Sequence, residues 1–344
     1  MLTRMLATAV AIGLVSTPGA AGRRGPRPRG ERYCSATAAA AYDACQKESQ
    51  GDYAIAVGVC ANVTDAAERA ACLAAAKAAR REEDELCHEQ RAARRDVCDA
   101  LGEARYDPAF DPAAFDDDFD DLTHPNPYFP LAPGHRWEYR GGTESIEVEV
   151  TNETKLVQGV TCIVVRDRVT DDGDLVEDTD DWFAHARNGD VYYCGEEVKD
   201  FESFDGDDPR RPELVSIDGS FKAGRNGAKP GIRFPGAPTL GRIYRQEFSL
   251  GTAEDVAQVL SSTYGFGNDP ELDRLVPRTL AELLCAGDCV VTKDFSPLEP
   301  DAVERKYHAP GIGTVLEVNL DDGTAVQLVA CNVDPRCAML AAPE

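Results

Sequence analysis

The chain is poor in the residues and motifs that mark the common catalytic classes. Five histidines occur in 344 residues; His88, His124, His135, His185 and His308 are scattered. His88-Glu89 opens like a His-Glu-x-x-His zinc-protease motif, but position 92 is alanine and the second ligand is missing. No Gly-x-Ser-x-Gly elbow, phosphate-binding loop or dinucleotide fingerprint is present, which removes the readily recognised hydrolase and nucleotide-binding classes. Paired carboxylates would suit a glycosidase, yet no pair stands out among 61 acidic residues. No catalytic residue is assigned. Trp137, Trp182, Tyr192 and Tyr193 could line a ligand cleft, with core positions on strands as the competing reading.

Positive charge is also scarce. The chain has 36 basic against 61 acidic residues, a net charge of -25. Such a surface repels nucleic acid and anionic lipid and favours cations without naming one. A long apolar run is missing too: Met5 to Val15 is roughly half of the ~20 residues a membrane span needs. With Arg4 before it and Gly19-Ala20-Ala21 after it, this run reads as a cleavable signal peptide over 1–21, followed by a basic disordered tail over 22–33. The expected setting is periplasmic or extracellular.

What the chain has in excess is cysteine. Twelve cysteines, an even number, in an exported chain imply disulfides. Six of them fall in 34–105, a stretch that is rich in Ala, Glu and Arg, lacks proline after Cys34, and is therefore helical. Cys34, Cys45, Cys60, Cys72, Cys87 and Cys98 are separated by 11, 15, 12, 15 and 11 residues, and the three nested pairs share one sum, 132. Two antiparallel helices bring together residues of constant sum, so the spacing predicts a helical hairpin with bridges Cys34–Cys98, Cys45–Cys87 and Cys60–Cys72. Steps of 11 and 15 residues rotate by only about 20° and 60°, keeping each helix's cysteines on one face. The constant sum centres the turn at Ala66, whereas the capping pair Asp65 and Glu68 centres it near Val63.

Residues 106–130 are rich in Asp and Pro and read as a solvated acidic linker. Calcium is the cofactor option there, although the spaced loop that wraps one ion is absent. Phe110, Phe115 and Phe119 are expected on the surface of a neighbouring domain.

From Leu131 the period becomes two: Ile146, Val148 and Val150 alternate with Glu147, Glu149 and Thr151. Asp172-Gly173, Asn188-Gly189 and Asp322-Gly323 signal tight hairpin turns. The fold class is therefore α+β, the helical hairpin being followed by an antiparallel β domain over 131–330 of roughly ten strands. That domain would be a curved sheet, sandwich or open barrel, with a long Gly/Pro-rich loop from Gly219 to Gly241 and a tail over 331–344. Cys285 with Cys289, and Cys331 with Cys337, lie close enough for local bridges; a four-cysteine zinc site is the alternative. Taken as two-residue turns, the first two turn signals set Cys162 and Cys194 on either side of one strand, about 9.6 Å apart. They are then not expected to bond to each other.

Tyr128-Phe129-Pro130-Leu131-Ala132-Pro133-Gly134-His135-Arg136-Trp137-Glu138-Tyr139, Ala228-Lys229-Pro230-Gly231-Ile232, Tyr244-Arg245-Gln246-Glu247 and Lys306-Tyr307-His308-Ala309-Pro310-Gly311-Ile312-Gly313 resemble motifs of a group of uncharacterised exported bacterial proteins. The resemblance covers about Pro127 to Leu320. It implies an envelope or extracellular setting and brings no activity or site residue. Together these readings lead to an exported non-enzymatic binding or structural protein with a partner or ligand in that setting. The alternatives are a secreted hydrolase with dispersed carboxylates and a carrier of an apolar small molecule, since curved sheets can enclose a cavity.

Overall fold

The proline-free, alanine-rich stretch folds in the computed structural model, described over residues 32–340, into helices α1 (Tyr33–Ala61) and α2 (Ala66–Leu101). The expected signal peptide, the basic stretch 22–31 and the last four residues lie outside the described residues. Asp65 starts α2 by accepting from the Ala67 and Glu68 backbone N–H groups at 2.8 and 2.9 Å, which satisfies first-turn donors that have no partner within the helix. The turn therefore occupies 62–65, where the cap places it. Disulfides Cys34–Cys98, Cys45–Cys87 and Cys60–Cys72 staple the pair at Cα separations of 5.6, 5.8 and 5.6 Å. Apart from those cysteines the buried residues of α1 are only Ala38, Ala41 and Ser49. A seam of such small side chains buries little apolar surface, so the cross-links carry much of the hairpin's stability, at about 2–4 kcal/mol each.

The period-two region forms β1 (Arg136–Gly141), β2 (Glu144–Val157), β3 (Val160–Asp171), β4 (Asp174–His185), β5 (Val191–Glu197), β6 (Asp200–Glu202), β7 (Glu213–Ser216), β8 (Phe221–Lys222), β9 (Lys229–Phe234), β10 (Ile243–Arg245), β11 (Glu247–Phe248) and β12 (Val256–Gly265). Short helices α3 (Pro270–Asp273) and α4 (Arg278–Leu284) follow, then β13 (Ala286–Ser296), β14 (Glu299–Ala309), β15 (Gly313–Asn319) and β16 (Ala325–Cys331). Thirteen of them pair antiparallel in the order β10-β12-β13-β14-β15-β16-β1-β2-β3-β4-β5-β9-β11, with β6 branching from β4, β7 pairing with β6 and β8 pairing with β5. β16 pairs with β1, joining the two ends of the domain. β10 and β11 are one extended segment interrupted at Gln246; its first half bonds β12 and its second half bonds β9. The sheet thus returns on itself as a nearly closed barrel. At this seam a Cβ on Gly231 would lie 2.0 Å from the Gln246 carbonyl oxygen, so no larger residue fits.

The expected count of about ten strands was too low because short strands escape a periodicity reading. The stretch Gly219 to Gly241, expected as a loop, supplies β8 and β9. Its Pro and Gly serve a wall position where backbone must approach backbone.

Two further expectations are corrected by turn geometry. Asp172-Gly173 is a two-residue turn with both residues at positive φ. In Asn188-Gly189 only Gly189 has positive φ, and Ala186 and Asp190 are joined by a backbone bond of 2.8 Å around a three-residue loop. Phe183 therefore faces Tyr193 instead of Cys194, and the register slips again at Trp182/Phe183. Cys162 and Cys194 do form a disulfide, with Cα atoms 6.8 Å apart. The flat-sheet spacing was the wrong yardstick: the wall curves here, Cys194 sits at the irregularity, and Ala184 of the intervening strand is small and wholly buried. Cys285–Cys289 and Cys331–Cys337 are also bridged, so all twelve cysteines are disulfide-bonded and the zinc alternative falls away.

Residues 106–130 connect hairpin and barrel, but they are packed where a solvated linker was expected. Phe115 and Phe119 are buried, and Phe115 and Phe110 cover Trp182, Cys162 and Cys194 on the outer wall. Asp116 pins the segment, accepting from Thr123 Oγ1 at 2.6 Å and pairing with His185 Nδ1 at 2.9 Å. Charge counting misses this because alternate phenylalanines outweigh the aspartates beside them. α2 docks on the barrel through Arg94, whose guanidinium binds both oxygens of Glu254 with both side chains buried. Gln90 adds a bond of 2.9 Å to the Leu298 carbonyl.

Candidate functional site in the barrel lumen

Alternation sends every second wall residue inward. On β3 these are Ile163, Val165 and Asp167; on β4, Asp181 and Phe183. Tyr193 and Glu196 of β5 share the inner side although they are three apart, because the strand is irregular at Gly195. That glycine has φ +141°, and the Phe221 carbonyl occupies the space a Cβ would need. Arg233 enters from β9, Asp294 from β13, Glu304 and Lys306 from β14, and Glu317 from β15.

The lumen has two adjoining chambers that share Asp167, Asp181, Phe183, Arg233 and Lys306. The smaller, about 220 Å³, is lined mainly by apolar and aromatic side chains, including Trp137, Tyr139, Ile146 and Val148. The larger, about 550 Å³, is acidic: eleven carboxylate side chains face it, against Arg233 and Lys306. Lys306 Nζ lies 3.1 Å from Glu304 and 3.1 Å from Glu317. Burial lowers the affinity of this ammonium for its proton, but Glu317, Glu304 and Asp294 outweigh it and hold Lys306 charged. Arg233 is likewise kept charged against its burial by Asp294, Tyr193 and Asp181.

The remaining carboxylates are under-compensated. Burial, then Asp181 and Glu177, push Asp167 well above the usual range. Burial, then Asp255 and Glu196, do the same to Glu247. Burial also raises Asp294 and Asp255. Two enclosed carboxylate oxygens, Asp167 Oδ1 and Asp294 Oδ1, have no hydrogen-bond donor in the protein, an arrangement that is costly unless something else supplies one.

The Tyr193 hydroxyl touches both Asp181 Oδ1 and Glu196 Oε2, the latter at 2.9 Å. One hydroxyl proton cannot serve two ionised carboxylates. Burial pushes Asp181 up to about 6, opposed by the Tyr193 hydrogen bond, and pushes Glu196 up to about 8, assisted by Asp181. At neutral pH the proton order is therefore Glu196 donating to Tyr193, and Tyr193 donating to ionised Asp181.

Of the aromatic candidates, Trp137 and Tyr193 reach the lumen, while Trp182 and Tyr192 lie on the outer wall. The histidines do not converge. His308 is held between Thr292 and Thr314 at 3.3 and 3.2 Å, and burial, with Arg233 and Lys306 nearby, keeps it neutral. Among the described residues no three His, Cys, Asp or Glu side chains cluster as a metal site. The sequence reading missed Asp167, Asp181, Glu196, Arg233, Asp294 and Lys306. A signal existed for two of them: Asp167 follows Val165 and Asp181 precedes Phe183 on the same inward alternation. No family model, no curated protein and no solved structure matches this chain. Among the described residues no helix is long and apolar enough to cross a membrane.

Proposed function

We propose that this chain is an exported binding protein whose lumen captures a small organic cation, an amine or amidine carrying an apolar group. Asp167 and Asp294, each with an enclosed oxygen that has no donor, carry this reading, because they line a cavity where carboxylates far outnumber cations. A protonated nitrogen would supply the missing donors and charge together, and its apolar portion would enter the 220 Å³ chamber. The volumes favour a small ligand over a long lipid tail. Six disulfides, and the resemblance to exported bacterial proteins, support an oxidising setting outside the cytoplasm. The cross-linked hairpin serves as a docking arm.

Calorimetric titration with a panel of aryl and alkyl amines tests this. Some amines should bind, their alcohol counterparts should not, and Asp167→Asn with Asp294→Asn should weaken binding at least about tenfold. Equal binding of the neutral counterparts would exclude the reading. A second reading, a hydrolase, rests on one observation: Glu196 is protonated at neutral pH beside ionised Asp181, the division of roles a general acid and its partner need. Turnover of a glycoside panel abolished by Glu196→Gln would favour it.

A further inference from the structure

A second cavity, about 810 Å³, lies between the start of the hairpin and the outer barrel wall. It is independent of the lumen. Its walls are mostly apolar, with Leu101 and Ala40 from the helices and Ile232, Phe248 and Leu250 from the barrel. Its charge is opposite to that of the chain: Arg105, Lys229, Arg242 and Arg245 line it against a single carboxylate, Asp107, on a molecule of net charge -25. Lys229 already holds Asp107 at 2.6 Å.

Arg245 is the unusual member. It is 7% exposed, its Nη1 has no hydrogen-bond partner, and its Nη2 has only the Cys34 sulfur at 3.9 Å. Its guanidinium stacks over Phe248 at 4.7 Å and Tyr106 at 5.6 Å. The one buried carboxylate in the neighbourhood, Glu254, is taken up by the Nε and Nη2 edge of Arg94. Two buried guanidiniums thus share one carboxylate, and one positive charge is left over beside an apolar cleft. A buried cation in this state calls for an anion.

We infer that this cleft binds an anionic amphiphile, a long-chain carboxylate whose head pairs with Arg245 and whose hydrocarbon chain lies along Leu101, Ile232, Phe248 and Leu250. The volume falls within the about 300–1,000 Å³ usual for small-molecule sites.

The test is titration of the full chain with dodecanoate, 1-dodecanol and dodecylammonium, followed by calorimetry. Dodecanoate should bind one to one and more tightly than the alcohol. Arg245→Gln should weaken it about tenfold or more, as expected for loss of a charged hydrogen bond. Ala40→Trp, placed on an exposed helix position that lines the cleft, should fill it and abolish binding while leaving the fold intact by near-ultraviolet circular dichroism. Equal affinity for dodecanol, or undiminished dodecanoate binding in Ala40→Trp, would overturn the inference.

Discussion

Replacing Glu196 by Gln keeps the shape and, through the amide N–H, a donor for the Tyr193 hydroxyl while removing the charge, which isolates what burial costs in the lumen. The folded Glu196 carboxyl titrates at about 8 against an ordinary value of 4.5. An acid raised on folding binds its proton more tightly in the native state. Its stabilising effect is complete below 4.5 and is lost as pH rises toward 8. At 1.36 kcal/mol per pH unit the interval corresponds to about 5 kcal/mol at full ionisation. Glu196→Gln should therefore match the parent in urea unfolding at pH 4 and exceed it by several kcal/mol at pH 9, with disulfides intact in both. A difference independent of pH, or a variant less stable at pH 9, would refute the reasoning.

Other consequences are as direct. Arg94→Met takes the two-point partner from buried Glu254, leaving it the Gly251 N–H, and should cost about 3 kcal/mol in urea unfolding. Gly231→Ala puts a methyl group onto the Gln246 carbonyl and should open the barrel seam, seen as fast amide exchange along β9 and β11. Non-reducing peptide mapping should recover Cys162 joined to Cys194 and Cys45 joined to Cys87. Cys45→Ala with Cys87→Ala should destabilise by about 2–4 kcal/mol.

The hairpin was legible because disulfides impose integer arithmetic on sequence, and the constant sum of six cysteines specifies which pairs can meet. The β domain was legible as a class, since Ile146, Val148 and Val150 declare a half-buried strand. Its closure was not. The seam depends on Gln246 interrupting one extended segment and on Gly231 yielding space to it, and neither leaves a periodic trace. The Cys162–Cys194 bridge was hidden by the three-residue loop at Asn188-Gly189 and by register shifts at Val169/Thr170, which sets Ile163 and not Cys162 opposite Phe183, and at Trp182/Phe183, together with curvature that no pairwise register reports. The lumen was hidden for a related reason: its carboxylates come from β3, β4, β5, β11, β13, β14 and β15, and among 61 acidic residues only closure of the wall selects them.

The central claim is that the lumen's crowded carboxyls are built to take a cation, and proton release on binding measures it most directly. Calorimetry of a binding amine at pH 7, repeated in buffers of different ionisation enthalpy, gives the number of protons released. A cation entering among these carboxyls should lower the proton affinity of Glu196, so net proton release is expected in the parent and less of it in Glu196→Gln. Amine binding without proton release, or with proton uptake, would contradict the account.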